Sequence, residues 1–190
     1  MKKSCLVFLS FLISAFSLHV FASDYEERKL GSFHNITVED GITVVLIHSD
    51  KNKAFVKVED VDLSDVITDL SVFSLTVKMK KYVANASVTV EIYYTDALDE
   101  ITTEAGVNLL SEGKVYTDKL TINARFGGEI RIEIDAKEIE IQAGGATITV
   151  TGKVKDLEIH ALKNALVDCS NLNYQSKDVF NSGGVVKLKE

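Results

Sequence analysis

Short apolar stretches of period two run through this chain, and in its second half they return at a nearly fixed interval. Leu120-Thr121-Ile122, Ile139-Glu140-Ile141 and Leu157-Glu158-Ile159 occupy equivalent places, 19 and 18 residues apart, and Val179 follows 22 residues after Leu157. Each short strand runs to a turn rich in small residues. The turns read Phe126-Gly127-Gly128, Ala143-Gly144-Gly145 and Ser182-Gly183-Gly184, with Asn164-Ala165 where the remaining glycine pair is expected. A second strand then departs: Ile130 to Ile134, Ile148 to Val150, Leu166 to Cys169, and Val186 to Leu188. Strict alternation places the aliphatic side chains on one face and Thr, Glu, Arg and Lys on the other. One copy cannot enclose its apolar face, but copies stacked in register bury a continuous column. The pattern therefore predicts an all-β chain, a β-helix-like solenoid of short strands. Gly127, Gly128, Gly144, Gly145, Gly183 and Gly184 are its predicted structural turns, since glycine alone allows both positive φ and close backbone approach. At Lys163-Asn164-Ala165-Leu166 the glycine pair is lost, and a wider turn is expected there.

The first half is also strand-rich, without the glycine repeat, and is read as continuous with the solenoid. Ile36-Thr37-Val38 and the run from Ile42 to His48 flank Asp40-Gly41. Such a pair between apolar runs predicts a hairpin. Further strands are expected at 54–58, 75–79 and 88–94. Leu63, Val66, Ile67 and Leu70 have helical spacing and suggest a short helical turn near 62–68. The chain has no proline, which suits uninterrupted ladders.

The opening residues read as a targeting segment. Lys2 and Lys3 precede an uncharged apolar run from Leu6 to Phe21, with small residues before a cut between Ala22 and Ser23. The run is about 16 residues, short of the ~20 that span a bilayer. The expected organisation is a signal peptide at 1–22, a short segment at 23–29, and one domain at 30–190. That domain divides into a β-rich half at 30–97 and a repeat half at 98–190. Removing residues 1–22 leaves 168 residues, with 19 basic against 28 acidic side chains, a net charge of −9. An acidic surface without basic clusters argues against nucleic acid and anionic lipid as partners. Only Cys169 remains, so no internal disulfide forms, and its apolar setting reads as a buried small residue.

The order Gly31-Ser32-Phe33-His34-Asn35-Ile36-Thr37-Val38-Glu39-Asp40-Gly41-Ile42-Thr43-Val44, followed by the Gly-Gly and Gly-Ala turns, resembles the auto-transporter adhesin, head GIN domain family. The resemblance covers residues 30–190. It implies a right-handed β-helix-like solenoid in an exported bacterial protein, with adhesion at the cell surface as the proposed role. It carries no catalytic residues over. A chain filled by this domain leaves no room for a translocating barrel.

The residues themselves offer little chemistry. Glu138, Glu140 and Glu158 fall on the outward face of the first strands, with Glu140 and Glu158 about 5 Å apart in this register; they read as a solvated polar face, with a raised carboxyl pKa or weak cation binding at that pair as the alternative. His34, His48 and His160 lie far apart in sequence and match no metal-binding spacing. No Gly-x-Ser-x-Gly elbow or phosphate loop is present. Tyr82, Tyr93, Tyr94 and Tyr116 are read as ordinary strand residues, with an aromatic sugar-binding surface as the alternative. The expectation is an exported, non-enzymatic binding or structural module, periplasmic or extracellular, without cofactor, metal or catalytic residues. Its expected partner is a glycan or protein of the cell envelope, with no nucleic acid, no stable membrane insertion after cleavage, and homo-oligomerisation open. The rivals are a carbohydrate-active enzyme on a β-helix scaffold and a self-associating envelope protein. Carboxylates converging with a Lys or Arg in a groove would favour the enzyme.

Overall fold

A computed structural model describes residues 24–190. The expected signal peptide, with its cut between Ala22 and Ser23, lies outside these residues. The strands are β1 Asp24–Lys29, β2 Asn35–Val38, β3 Thr43–His48, β4 Lys53–Glu59, β5 Val66–Ser71, β6 Ser74–Met79, β7 Ser87–Tyr94 and β8 Glu100–Thr103. They continue with β9 Asn108–Arg125, β10 Glu129–Gly144, β11 Thr147–Lys153, β12 Asp156–Leu162, β13 Leu166–Cys169, β14 Leu172–Asn173, β15 Ser176–Ser182 and β16 Val185–Leu188. A 3-10 turn, Leu63–Asp65, falls inside the segment where helical spacing was read.

The fold is a β-solenoid of about four turns joined to a curled sheet. Its coils build two broad faces. The first runs β5, β6, β2, β8, the end of β9, the end of β10, β12 and β15. The second runs β1, β4, β7, β3, the start of β9, the start of β10, β11, β13 and β16. Pairing is parallel except where β5 joins β6 and where β4 joins β1 and β7. A narrow third face is made by the middle of β9 and β10, the end of β11, and β14. β9 and β10 are long because they pass round the corners without losing their ladder.

In-register stacking puts like above like. One interior column is Leu75, Ile36, Ile101, Ile122, Ile141 and Ile159; its counterpart on the second face is Val90, Val44, Leu109, Ile130, Ile148 and Val167. All are buried. Each contributes about 1.5–3 kcal/mol relative to exposure. Thr103 is the one buried polar residue among those described.

The corner between the two faces has its own ladder. The carbonyls of Ile42, Val107, Gly128, Ala146 and Ala165 accept from the amides of Asn108, Glu129, Thr147, Leu166 and Val185. The residue just before each of these carbonyls has positive φ: Gly41, Gly106, Gly127, Gly145 and Asn164. Gly128 combines φ 91° with the tightest packing at this corner, since a Cβ there would lie 2.3 Å from the Val107 carbonyl oxygen. Gly144 has neither constraint: its φ is not positive, and a Cβ would meet nothing closer than 3.9 Å. Gly183 takes φ 93°, and Gly184 packs against the Leu162 carbonyl.

Three expectations change. Asp40-Gly41 is not a hairpin turn: β2 and β3 do not pair with each other, each pairing in parallel with strands of neighbouring coils. The sequence signal for a tight turn was real, but a solenoid corner also needs positive φ at that place. Val179 aligns with Ile159, and Lys177 stands opposite Leu157. The turn at Asn164 is one residue longer than that at Gly144-Gly145 but matches the turn at Gly127-Gly128. Asn164 holds φ 65°, a conformation Asn tolerates better than most residues.

Candidate binding face

Alternation sends every second side chain of the second face outward. From β1 towards β16, one outward row reads Glu27, Phe55, Glu91, Val45, Leu110, Arg131, Thr149, Asp168 and Lys187. A neighbouring row reads Lys53, Tyr93, Ile47 and Glu112. The first row sets Phe55, Val45 and Leu110 around Glu91 between β4 and β9 and is polar from Arg131 to β16, and the second sets Tyr93 and Ile47 between Lys53 and Glu112. Val45, Ile47, Leu110, Phe55 and Tyr93 are all partly exposed, and Tyr25 on β1 is 73% exposed. They form a contiguous aromatic and aliphatic patch on a face that solvent would otherwise make polar.

The rings are held in place. Phe55 and Tyr93 meet edge to face, 5.6 Å between centroids. The Lys53 ammonium lies 4.5 Å from the Phe55 centroid and 4.9 Å from that of Tyr93. It also pairs with Glu27 at 3.5 Å. The Tyr93 hydroxyl donates to Glu91 at 3.0 Å. Partial burial raises the Tyr93 pKa first, with Glu91 adding to it. A cup of about 340 Å³ lies between Tyr25, Phe55, Val56, Lys57, Thr89 and Glu91. Apolar walls with a few fixed polar groups at the edge are the general build of a ligand site.

Other candidates separate. Tyr94 is buried, its hydroxyl pushed up to about 12 by desolvation; Tyr82 and Tyr116 are exposed elsewhere. Cys169 is buried and its thiol is pushed to about 12, mainly by desolvation. That is the opposite of a reactive thiolate. His34 leans on Phe73 and His48 on Tyr94, both away from His160. On the first face Glu140 and Glu158 are direct cross-strand partners.

A groove of about 610 Å³ follows the third face, lined by Asp99, Tyr116, Asp118, Asp135, Lys137 and Lys155 among others. Carboxylates and lysines do converge there. Two of its aspartates are engaged in ion pairs between coils, Asp118 with Lys137 at 2.9 Å and Asp135 with Lys153 at 3.1 Å.

The sequence reading offered Tyr93 for an aromatic surface as an alternative but missed the rest of the patch. Its signal was the unbroken apolar run Val44-Val45-Leu46-Ile47 and the pair Leu109-Leu110, which break the strict alternation of apolar and polar positions. Phe55 and Tyr25 gave no such signal, because their neighbours across the strands are set by antiparallel pairing that sequence did not specify.

The model of the family described as "Putative auto-transporter adhesin, head GIN domain" matches residues 32–185. The chain belongs to this family. Its fold is shared with solved structures of low sequence identity. A crystal structure described as a "putative adhesin" from Parabacteroides distasonis superposes with a TM-score of 0.57 at 15% identity, covering 87% of this chain and 96% of that one. A "putative adhesin" from Bacteroides fragilis gives 0.50 at 13% identity, covering 87% and 95%. No curated protein sequence matches the chain. No helix among the described residues is long and apolar enough to cross a membrane.

Proposed function

We propose that this protein is an exported, non-enzymatic binding module that works at the cell surface or envelope by holding a glycan on the aromatic patch of its second face. The observation that carries the reading is the outward Phe55, Tyr93 and Tyr25, set beside Val45, Ile47 and Leu110 where a solvated sheet would be polar. A pyranose presents an apolar C–H face to aromatic rings and hydroxyls to the groups around them. Glu91, Lys53 and Lys57 supply those groups. Family membership and the leader-like pattern of residues 1–22 support export and adhesion.

A glycan array probed with the purified protein tests the ligand, and cell fractionation tests export. Retained glycans are expected to be lost together in Phe55→Ala and Tyr93→Ala while the fold persists. A protein that binds no glycan, or binds equally well without both rings, refutes the patch. The third-face groove favours a second reading, a carbohydrate-active enzyme, because aspartates and lysines converge in it. Turnover of a polysaccharide that disappears in Asp118→Asn or Asp135→Asn would establish that reading over the first.

A further inference from the structure

We infer that Glu140, Glu158 and His160 on the outer side of the first face form a site for a borderline divalent cation of the zinc type. Glu158 and His160 sit two residues apart on β12, so both side chains leave the same side of the sheet. Glu140 is the in-register partner of Glu158 on β10. One donor atom from each lies within 4.8 Å of the others. The His160 imidazole and the Glu158 carboxylate already touch, Nε2 to Oε1 at 2.7 Å.

Two features bear on this trio. Much of the stack pairs its acids with bases: Glu133 with Lys114, Glu138 with Lys119, Asp118 with Lys137, Asp135 with Lys153 and Asp168 with Lys187. Glu140 and Glu158 have no such base, and the next residue in their row, on β15, is another carboxylate, Asp178. They face each other directly, a destabilising arrangement of like charges in a sheet, and among the described residues neither pairs with a Lys or Arg. Lys119, one strand pair away, is taken by Glu138 at 2.5 Å. A divalent ion would neutralise the pair. The second feature is that the ligands are oriented before any ion arrives. The Gln142 amide donates to Glu140 at 2.7 Å, and the His160 ring rests against Phe180, 5.9 Å between centroids.

The donor set selects the ion. One imidazole nitrogen with two carboxylate oxygens suits Zn²⁺ and its first-row neighbours, whereas Ca²⁺ and Mg²⁺ take oxygen ligands. Zn–N and Zn–O bonds near 2.0–2.2 Å require these half-exposed side chains to close in slightly, which their freedom at the surface allows. Three protein ligands leave at least one position open to solvent or to a partner. The sequence register already sets Glu140 beside Glu158; what it did not join to them is His160, which the structure brings within reach of both.

Calorimetric titration of Zn²⁺ into the chelator-treated full chain is expected to show one saturable site. His160→Ala and Glu140→Gln should each weaken it by more than the ~10–100-fold typical of losing an outer-shell partner, while circular dichroism remains as in the parent and the ion-free Glu140→Gln melts no lower than the parent. Absence of saturable binding overturns the site. So does binding unchanged in His160→Ala, or a Ca²⁺ response that ignores His160, since either would mark carboxylates acting alone.

Discussion

The two ends of the second face share one backbone and one kind of interior, yet their outer surfaces differ. Towards β4 the outward rows carry Phe55, Tyr93, Val45, Ile47 and Leu110 with Lys53, Glu91 and Glu112 among them; towards β16 they are Arg131, Thr149, Asp168 and Lys187. Inside, Val90, Val44 and Leu109 continue without a break into Ile130, Ile148 and Val167. The interior therefore answers to stability along its whole length, and the exterior is free to differ. An apolar exterior adds little to a sheet already buried on its other side. Its persistence at one end is the observation on which the proposed binding face rests.

If the interior is uniform, equal lesions at either end should cost the same. Ile92→Ala beneath the patch and Ile148→Ala beneath the polar half each empty a fully buried position. Each is expected to lower stability by about 2–5 kcal/mol, read from urea unfolding. A large difference between them would mean that the two ends unfold separately. The corner at the boundary between the halves sharpens the point. Gly128→Ala forces a Cβ onto the Val107 carbonyl at positive φ, an overpacking of about 1–3 kcal/mol. Gly144→Ala, one coil on, should stay within about 0.5 kcal/mol of the parent. Identical melting of the two variants would remove the distinction between a glycine fixed by contact and one that is merely small.

Much of this architecture was legible in the chain. The spacing of Leu120, Ile139 and Leu157 foretold the stacked coils because burial of a period-two face leaves few alternatives. The corners were harder to read. Asp40-Gly41 carries the same local signal whether the chain doubles back or turns a solenoid corner, and only pairing with neighbouring coils decides. Position 164 was set apart for its missing glycine, yet the corner tolerates asparagine at φ 65°. The glycines looked alike in sequence, but contact distance separates Gly128 from Gly144. Cross-strand neighbours were legible only in part: the register paired Glu140 with Glu158, but the meeting of Phe55 with Tyr93 depends on an antiparallel strand pairing that the pattern did not specify.

The outer surfaces should respond weakly in stability and strongly in binding at one end only. Val45→Ser with Ile47→Ser removes half-buried aliphatic area from the patch. A loss of about 1 kcal/mol is expected, alongside loss of glycan retention on the array. The matching change in the polar half, Thr149→Ser, should leave retention intact. Loss of retention there as well would place the ligand across the whole face rather than on the patch.

The smallest effect belongs to the polar half and to acid. The Asp168 carboxylate accepts from the Ser170 hydroxyl at 2.6 Å and from its amide at 3.1 Å, with Lys187 at 3.5 Å. The Ser170 hydroxyl hydrogen bond is the main cause holding its pKa below the ordinary value, followed by the amide bond and then the lysine charge. A depressed carboxyl favours the folded state above its unfolded pKa, about 3.9. That contribution fades as pH falls through the lower folded value. Asp168→Asn should therefore cost about 1 kcal/mol at neutral pH and nearly nothing well below the folded pKa. Urea midpoints measured from pH 6 down to pH 2 should converge for the two proteins. The patch variant, which titrates nothing in that range, should keep a constant offset from the parent throughout. Midpoints that stay parallel for Asp168→Asn would show that its bonds to Ser170 survive protonation and that the charge contributes nothing.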